Sequence, residues 1–115
     1  MDRLLLSLSV DTLRLAQPFA ISGYVFETVD VLAVTLDDGK HRGRGEAAGL
    51  YYLGENAPQM RAAIEGLRGT IEAGLSREDL RMLLPPGGAR NAVDAALWEL
   101  EALRAGVPVW ALAGL

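Results

Sequence analysis

Residues 89–115 read ARNAVDAALWELEALRAGVPVWALAGL, and their pattern decides the class of fold. Ala92, Val93, Ala96, Leu97, Leu100 and Leu103 recur at the intervals that bring side chains onto one side of an α-helix, while Asp94, Glu99 and Glu101 fall off that stripe. Gly106 stands where a helix commonly ends in a left-handed residue. The spacing predicts an amphipathic helix from Ala89 to Ala105 with one face against a core. Val107-Pro108 then leads into a last turn, Val109 to Leu112, and Pro85-Pro86-Gly87-Gly88 sets the helix apart from what precedes it.

Working toward the amino end, two further helices are expected. Ser76-Arg77-Glu78-Asp79 resembles a capping box with Asp in place of Glu, opening a short helix through Leu84. Asn56 is placed to cap a helix with Pro58 in its first turn, where a missing amide hydrogen costs nothing. Met60, Ile64, Leu67 and Ile71 continue it at helical spacing, with Gly74 as its end. The first half of the chain changes period. Leu4, Leu6, Leu8 and Val10 alternate with Arg3, Leu5, Ser7 and Ser9, which is strand patterning, and Leu13 and Leu15 extend it. Gln17-Pro18 is read as the break, because proline cannot donate to a sheet ladder, and Pro18 to Gly23 as a loop. Tyr24 to Leu36 is a second strand rich in β-branched and aromatic residues. Asp37-Asp38-Gly39-Lys40 is a hairpin turn, and His41 to Ala47 a third strand. Strands followed by helices, unalternated, predict an α+β domain: a three-stranded antiparallel β-meander followed by a three- to four-helix bundle.

Composition bounds the function. The chain has 115 residues, half of them apolar, enough for one ordinary domain with its own core. Its 11 basic and 15 acidic residues give a formal charge of −4, which argues against nucleic acid as a partner. Lys40, His41, Arg42 and Arg44 cluster, but Asp37, Asp38 and Glu46 flank them, as on a solvated hairpin. With no cysteine there is neither a disulfide framework nor a thiolate metal site, and a cytoplasmic location is expected. The leucine-rich run Met1 to Val10 is interrupted by Ser7, Ser9 and Asp11 rather than built like a signal peptide, and no apolar stretch reaches a membrane span.

Catalytic chemistry is thin. Metal-assisted catalysis needs carboxylates or imidazoles converging from different elements, whereas Asp37, Asp38, Glu65, Glu72, Glu78, Asp79 and Glu101 are spread over a turn and helix surfaces. His41 is the one histidine, and no serine has an identifiable base; a small complete enzyme using Asp94, Glu99 and His41 is therefore disfavoured. Gly43-Arg44-Gly45-Glu46-Ala47-Ala48 matches the dinucleotide pattern G-x-G-x-x-A, but it trails a strand instead of opening a helix, so its glycines are read as serving a bulge or close packing. Two segments, Gln17 to Tyr24 and Ala48 to Asn56, carry aromatic and apolar residues where polar loops are expected. Phe19, Ile21, Tyr24, Leu50, Tyr51, Tyr52 and Leu53 form either a ligand or partner surface or a flap folded over the domain's own core.

Taken together, the Pro-Phe pair, the Val31–Leu36 run ending in an Asp-Gly turn, Gly43-Arg44-Gly45-Glu46, and the closing segment resemble the amino-terminal capping domain of the mandelate racemase and muconate lactonizing group of the enolase superfamily. Arg90, Asn91, Asp94, Ala96, Leu97, Trp98, Glu99, Leu100, Gly106, Pro108, Leu112 and Gly114 match the most specific part of its pattern. Within the group, ARNAVDAALWELEALRAG and the GEA…YLGE stretch most resemble dipeptide epimerases.

The resemblance implies a domain, residues 1–115, that caps an α/β barrel absent from this chain. In such enzymes the barrel supplies lysine or histidine bases and three carboxylates for magnesium, which together remove a proton beside a carboxylate. Here the single lysine, Lys40, leaves no Lys-x-Lys pair, so no catalytic or metal residue and no cofactor is assigned to this chain; magnesium is implied for the parent enzyme. The cap's contribution is expected from Phe19, Ile21, Ser22, Tyr51 and Tyr52 as substrate-facing residues, with Glu46 and Arg90 structural and paired. The implied partners are the barrel, a small carboxylate or dipeptide substrate and further copies of the chain, with no nucleic acid and no membrane. The expected role is a substrate-capping and specificity domain of a magnesium-dependent isomerase or lyase, inactive alone; the alternative is a free-standing binding or oligomerisation module derived from such a cap.

Overall fold

The computed structural model describes residues 3–115; of the Met1–Val10 run, Met1 and Asp2 lie outside the described residues. Strands β1 (Leu5–Ile21), β2 (Tyr24–Asp37) and β3 (Arg42–Ala47) form one antiparallel sheet in the order β1-β2-β3. Helices α1 (Ala57–Glu65), α2 (Arg68–Glu72), α3 (Arg77–Leu83), α4 (Gly88–Ala105) and α5 (Val109–Leu112) follow, after a short 3-10 turn at Tyr51–Leu53. The α+β order of strands and then helices is the one expected from the sequence.

The core lies between one face of the sheet and the helices. Leu6, Leu32, Val34 and Leu36 meet Ile64, Ile71, Leu80 and the buried stripe of α4, namely Ala92, Val93, Ala96, Leu97 and Leu100. Leu103, assigned to that stripe from its spacing, is exposed, and Ala102 is buried instead. The G-x-G segment explains how closely α4 sits on β3. A Cβ on Gly43 would overlap the Ala96 carbonyl oxygen and stand 2.7 Å from the Leu100 amide nitrogen, and one on Gly45 would overlap the Ala92 carbonyl oxygen. These glycines therefore serve close packing, and the β2–β3 register runs unbroken past them from Leu32↔Ala47 to Asp37↔Arg42.

Two expectations about local structure are corrected. The strand does not stop at Gln17-Pro18. β1 runs on to Ile21 because residues 15–18 bulge opposite residue 27 of β2, between the pairs Arg14↔Thr28 and Phe19↔Phe26. Pro18 falls inside this bulge, where no ladder bond is required. The loop shrinks to a two-residue turn, Ser22-Gly23, with φ of 45° and 86°, the positive values that suit a tight hairpin. Nor is the segment after Asn56 one helix. Asn56 caps α1 through its side chain, which accepts from the Gln59 amide, but the helix ends at Gly66 and restarts as α2.

The restart turns α2 toward the free edge of β1. Glu72 accepts the Leu6 amide at 2.9 Å and Arg68 donates to the Leu6 carbonyl at 2.6 Å, so two side chains satisfy backbone groups that a fourth strand would otherwise attract. The capping box is present as read: the Ser76 hydroxyl accepts the Asp79 amide at 3.0 Å, and the Asp79 carboxylate accepts the Ser76 amide at 3.2 Å.

Charged groups near the β2–β3 turn tie it to the far end of α4. Asp38 accepts from Arg104 at 2.7 Å and from the His41 and Lys40 amides at 2.6 and 2.8 Å. First the Arg104 guanidinium, then these two amides, hold its carboxyl well below the usual carboxylate range. A depressed folded pKa stabilises the fold above the unfolded value, near 4, and that contribution is lost as the pH falls toward the folded one. Stability read from acid unfolding by circular dichroism is accordingly expected to fall below about pH 4 in the parent chain, and Asp38→Asn to flatten that limb of the profile. An unchanged acid limb in D38N would remove Asp38 from the account.

Candidate functional site

The bulge in β1 builds the most distinctive surface of the chain. Facing residues of antiparallel strands share a side of the sheet, and alternate residues along a strand swap sides. Before the bulge, the even-numbered residues Leu6 and Leu8 of β1 face Leu36 and Val34 of β2 on the core side. After it, the odd-numbered Phe19 and Ile21 face Phe26 and Tyr24. An odd number of extra residues has changed the phase of β1, so Phe19 and Ile21 join the side already held by Tyr24 and Phe26.

Tyr51 of the 3-10 turn packs onto that side. Its ring lies edge-on to Tyr24 at 4.9 Å and to Phe26 at 5.1 Å, while Tyr24 and Phe26 stack at 6.0 Å and Tyr52 stands perpendicular to Tyr51 at 5.4 Å. A concavity of about 580 Å³ adjoins this cluster, lined by Leu15, Phe19, Phe26, Val29 and Tyr51 among others. The rings remain largely open to solvent: Phe19 is 56 %, Tyr24 53 % and Tyr52 66 % exposed. The two aromatic segments do meet, then, but as a projecting surface and not as a flap closed over the core.

Of the residues singled out from sequence, Phe19, Tyr51 and Tyr52 are in or beside the cluster, and Ile21 pairs with Tyr24. Ser22 occupies the tip of the hairpin, where its conformation makes the turn. Phe26 was missed; its place two residues beyond Tyr24 in a strand was the available signal. The Glu46–Arg90 pair does not form. Arg90 donates to the Leu84 carbonyl at 3.4 Å, and Glu46 is exposed with no ion pair among the described residues.

Elsewhere several polar side chains are engaged with one another. A cleft of about 430 Å³ between α3 and α4 is lined by Arg77, Arg81, Arg90, Asp94 and Trp98. Arg77 lies 3.5 Å over the Trp98 ring and is bound to Glu101 at 2.9 Å, which raises its pKa, so this one of the cleft's three arginines is already paired. Glu99 accepts from Arg44, and His41 faces Asp38 at 3.8 Å, so Asp94, Glu99 and His41 do not converge. Among the described residues no three His, Cys, Asp or Glu side chains lie close enough to hold a metal ion, so the donor set does not fit magnesium. Among the described residues no helix is long and apolar enough to cross a membrane.

Residues 9–114 match the mandelate racemase / muconate lactonizing enzyme, N-terminal domain. The chain belongs to this family. It is 38% identical over 87 residues to the L-Ala-D/L-Glu epimerase of Escherichia coli (strain K12), covering 76% of this chain and 27% of that protein. It is also 38% identical over 104 residues to a hydrophobic dipeptide epimerase of Roseobacter litoralis, covering 85% of this chain and 30% of the relative. Among solved structures, an L-Ala-D/L-Glu epimerase superposes with a TM-score of 0.90 at 31% identity over 99% of this chain and 34% of its own. A dipeptide epimerase from Methylococcus capsulatus, complexed with Mg and the dipeptide L-Arg-D-Lys, gives 0.86 at 25% identity over 99% of this chain and 35% of its own. The chain thus spans about a third of the length of these relatives and corresponds to their capping domain.

Proposed function

We propose that residues 1–115 form the capping and specificity domain of a dipeptide epimerase, with Phe19, Ile21, Ser22, Tyr51 and Tyr52 closing over the substrate and the bases and magnesium held by the part of such an enzyme outside these residues. The observation that carries this reading is the aromatic cluster: two segments far apart in sequence meet through Tyr51 on Tyr24 and Phe26 and present an apolar concavity to the outside. A lid of this kind excludes water and selects by shape and polarity, without itself moving a proton.

The charge of the two segments favours one substrate class over another. Residues 15–29 and 45–60 contain no lysine, arginine or histidine, and their ionisable acids are Glu27, Glu46 and Glu55. An acidic substrate side chain brought against this surface loses water and gains no cation, whereas an apolar one gains roughly 25 cal/mol for each Å² of apolar surface buried. The preferred dipeptide therefore carries an apolar side chain, as the name of the Roseobacter relative suggests for that protein.

The test is an exchange of caps. Replacing the matching quarter of the E. coli L-Ala-D/L-Glu epimerase with this chain is expected to yield an epimerase whose kcat/KM favours an apolar dipeptide over Ala-Glu by about 10-fold or more, the range one or two buried methylenes supply. A chimera that keeps the E. coli preference, or one that is folded but inactive on every dipeptide, would count against the reading.

A further inference from the structure

We propose that Glu55 is the positioning residue of the capping surface: its carboxylate fastens the tyrosine turn to the amino end of α4 and so holds Tyr51 against Tyr24 and Phe26. Oε1 accepts the Leu50 amide at 3.1 Å and Oε2 accepts the Gly88 amide at 2.8 Å. Leu50 enters the turn and Gly88 opens α4, so one side chain joins two segments that are 33 residues apart along the chain from Glu55 to Gly88. The turn is also closed on itself, since the Leu50 carbonyl accepts the Leu53 and Glu55 amides at 3.0 and 3.2 Å, so it moves as a unit with its anchor.

Each end of the bridge has a physical need for it. α4 is an 18-residue helix whose N-cap, Gly87, contributes no side-chain cap and whose first turn contains no acid. Its amino end carries unpaired amides and the positive end of the helix dipole, and Glu55 supplies from outside the helix the anion that its own sequence omits. Space is kept for it: a Cβ on Gly87 would lie 2.8 Å from Oε2. The tyrosine turn, for its part, has no buried residue and no side-chain cap, so packing alone does not fix it. The meaning of this anchor for selectivity rests on the capping role proposed above; the anchoring does not.

The experiment is solution NMR on the intact 115-residue chain without ligand, comparing the parent with Glu55→Ala and Glu55→Gln. In E55A the Leu50 and Gly88 amides are expected to exchange with solvent about 10- to 100-fold faster, the range for lost hydrogen bonds to a charged group, while the Leu80 amide inside α3 keeps its rate. The cross-relaxation between the Tyr51 ring and those of Tyr24 and Phe26 should disappear. Gln has one acceptor oxygen, so E55Q should keep one of the two amides protected and retain part of the ring contact. Intact ring contacts in E55A would overturn the proposal. So would uniform acceleration of all amides or the unfolding of both variants, since these show a general stabiliser and not a positioning residue. No substrate is present, so these outcomes stand apart from the cap exchange, which alone tests dipeptide selection.

Discussion

Gly45→Val is expected to abolish the folded state of this chain. Gly45 faces Val34 across the β3–β2 ladder, and its α-carbon lies so close to α4 that even a methyl would overlap the Ala92 carbonyl oxygen and stand 2.9 Å from the Ala96 amide nitrogen. Those are backbone atoms inside a helix, which cannot swing aside as a flexible side chain does. Relief therefore requires α4 to lift from the sheet, separating Ala92, Val93, Ala96 and Leu100 from Val34 and Leu36. Overpacking of yielding sites costs about 1–3 kcal/mol, and this site does not yield, while a domain's whole margin is about 5–15 kcal/mol. Gly69→Ala is the matched control. Gly69 sits in α2 with open space where its Cβ would go, so the change should stabilise by roughly 0.5–1 kcal/mol. Urea unfolding followed by circular dichroism reads both; a cooperative transition in G45V near that of the parent would show that the helix–strand approach is not what holds the domain together.

The second large effect is expected at Leu36. This side chain is fully buried on the central strand, with Leu6 beside it on β1 and Gly43 on β3. Truncation to alanine leaves a void whose β3 neighbour has no side chain to move in, beneath a helix already in backbone contact with the sheet. Such a site collapses poorly, which places Leu36→Ala toward the upper part of the 2–5 kcal/mol range for Leu-to-Ala changes, about 3–5 kcal/mol. A loss under about 1.5 kcal/mol by the same unfolding measurement would mean that the core repacks and that the glycine notch is more pliant than its contacts indicate.

How much of this was legible in the sequence follows from which forces set each part. α4 was readable because its stripe and the Gly106 end are local features, with Gly106 adopting the left-handed conformation expected at a helix terminus. The hairpin at Asp37–Lys40 and the capping box at Ser76 were readable for the same reason. The break between α1 and α2 was not, because Ile64, Leu67 and Ile71 keep helical spacing through it. What turns the chain is the reach of Arg68 and Glu72 to the edge of β1, a contact more than 60 residues away along the chain. The β1 bulge hid for a related reason. A proline in a strand pattern signals an end when read locally, and only the register with β2 reveals that the strand absorbs it. That misreading also concealed the phase change that puts Phe19 and Ile21 beside Tyr24 and Phe26, so the sequence named most of the aromatic surface without showing what assembles it. Leu103 lay one turn beyond the sheet's reach, where the stripe continues but nothing covers it.

The proposed capping role assigns proton transfer to the rest of such an enzyme and none of it to residues 1–115. Several of the charged groups pair with one another: Asp37 with Arg42, Asp38 with Arg104, Glu65 with Arg68 and Glu101 with Arg77. Lys40, the single lysine, sits at an exposed hairpin turn away from the aromatic surface. In the proposed capping role none of these groups takes a proton from the dipeptide. The most direct measurement is deuterium incorporation at the α-carbon of Ala-Glu and of an apolar dipeptide, incubated in D₂O with magnesium and the purified 115-residue chain. The account predicts incorporation no faster than in buffer for either dipeptide; exchange above that background by this chain alone would contradict it.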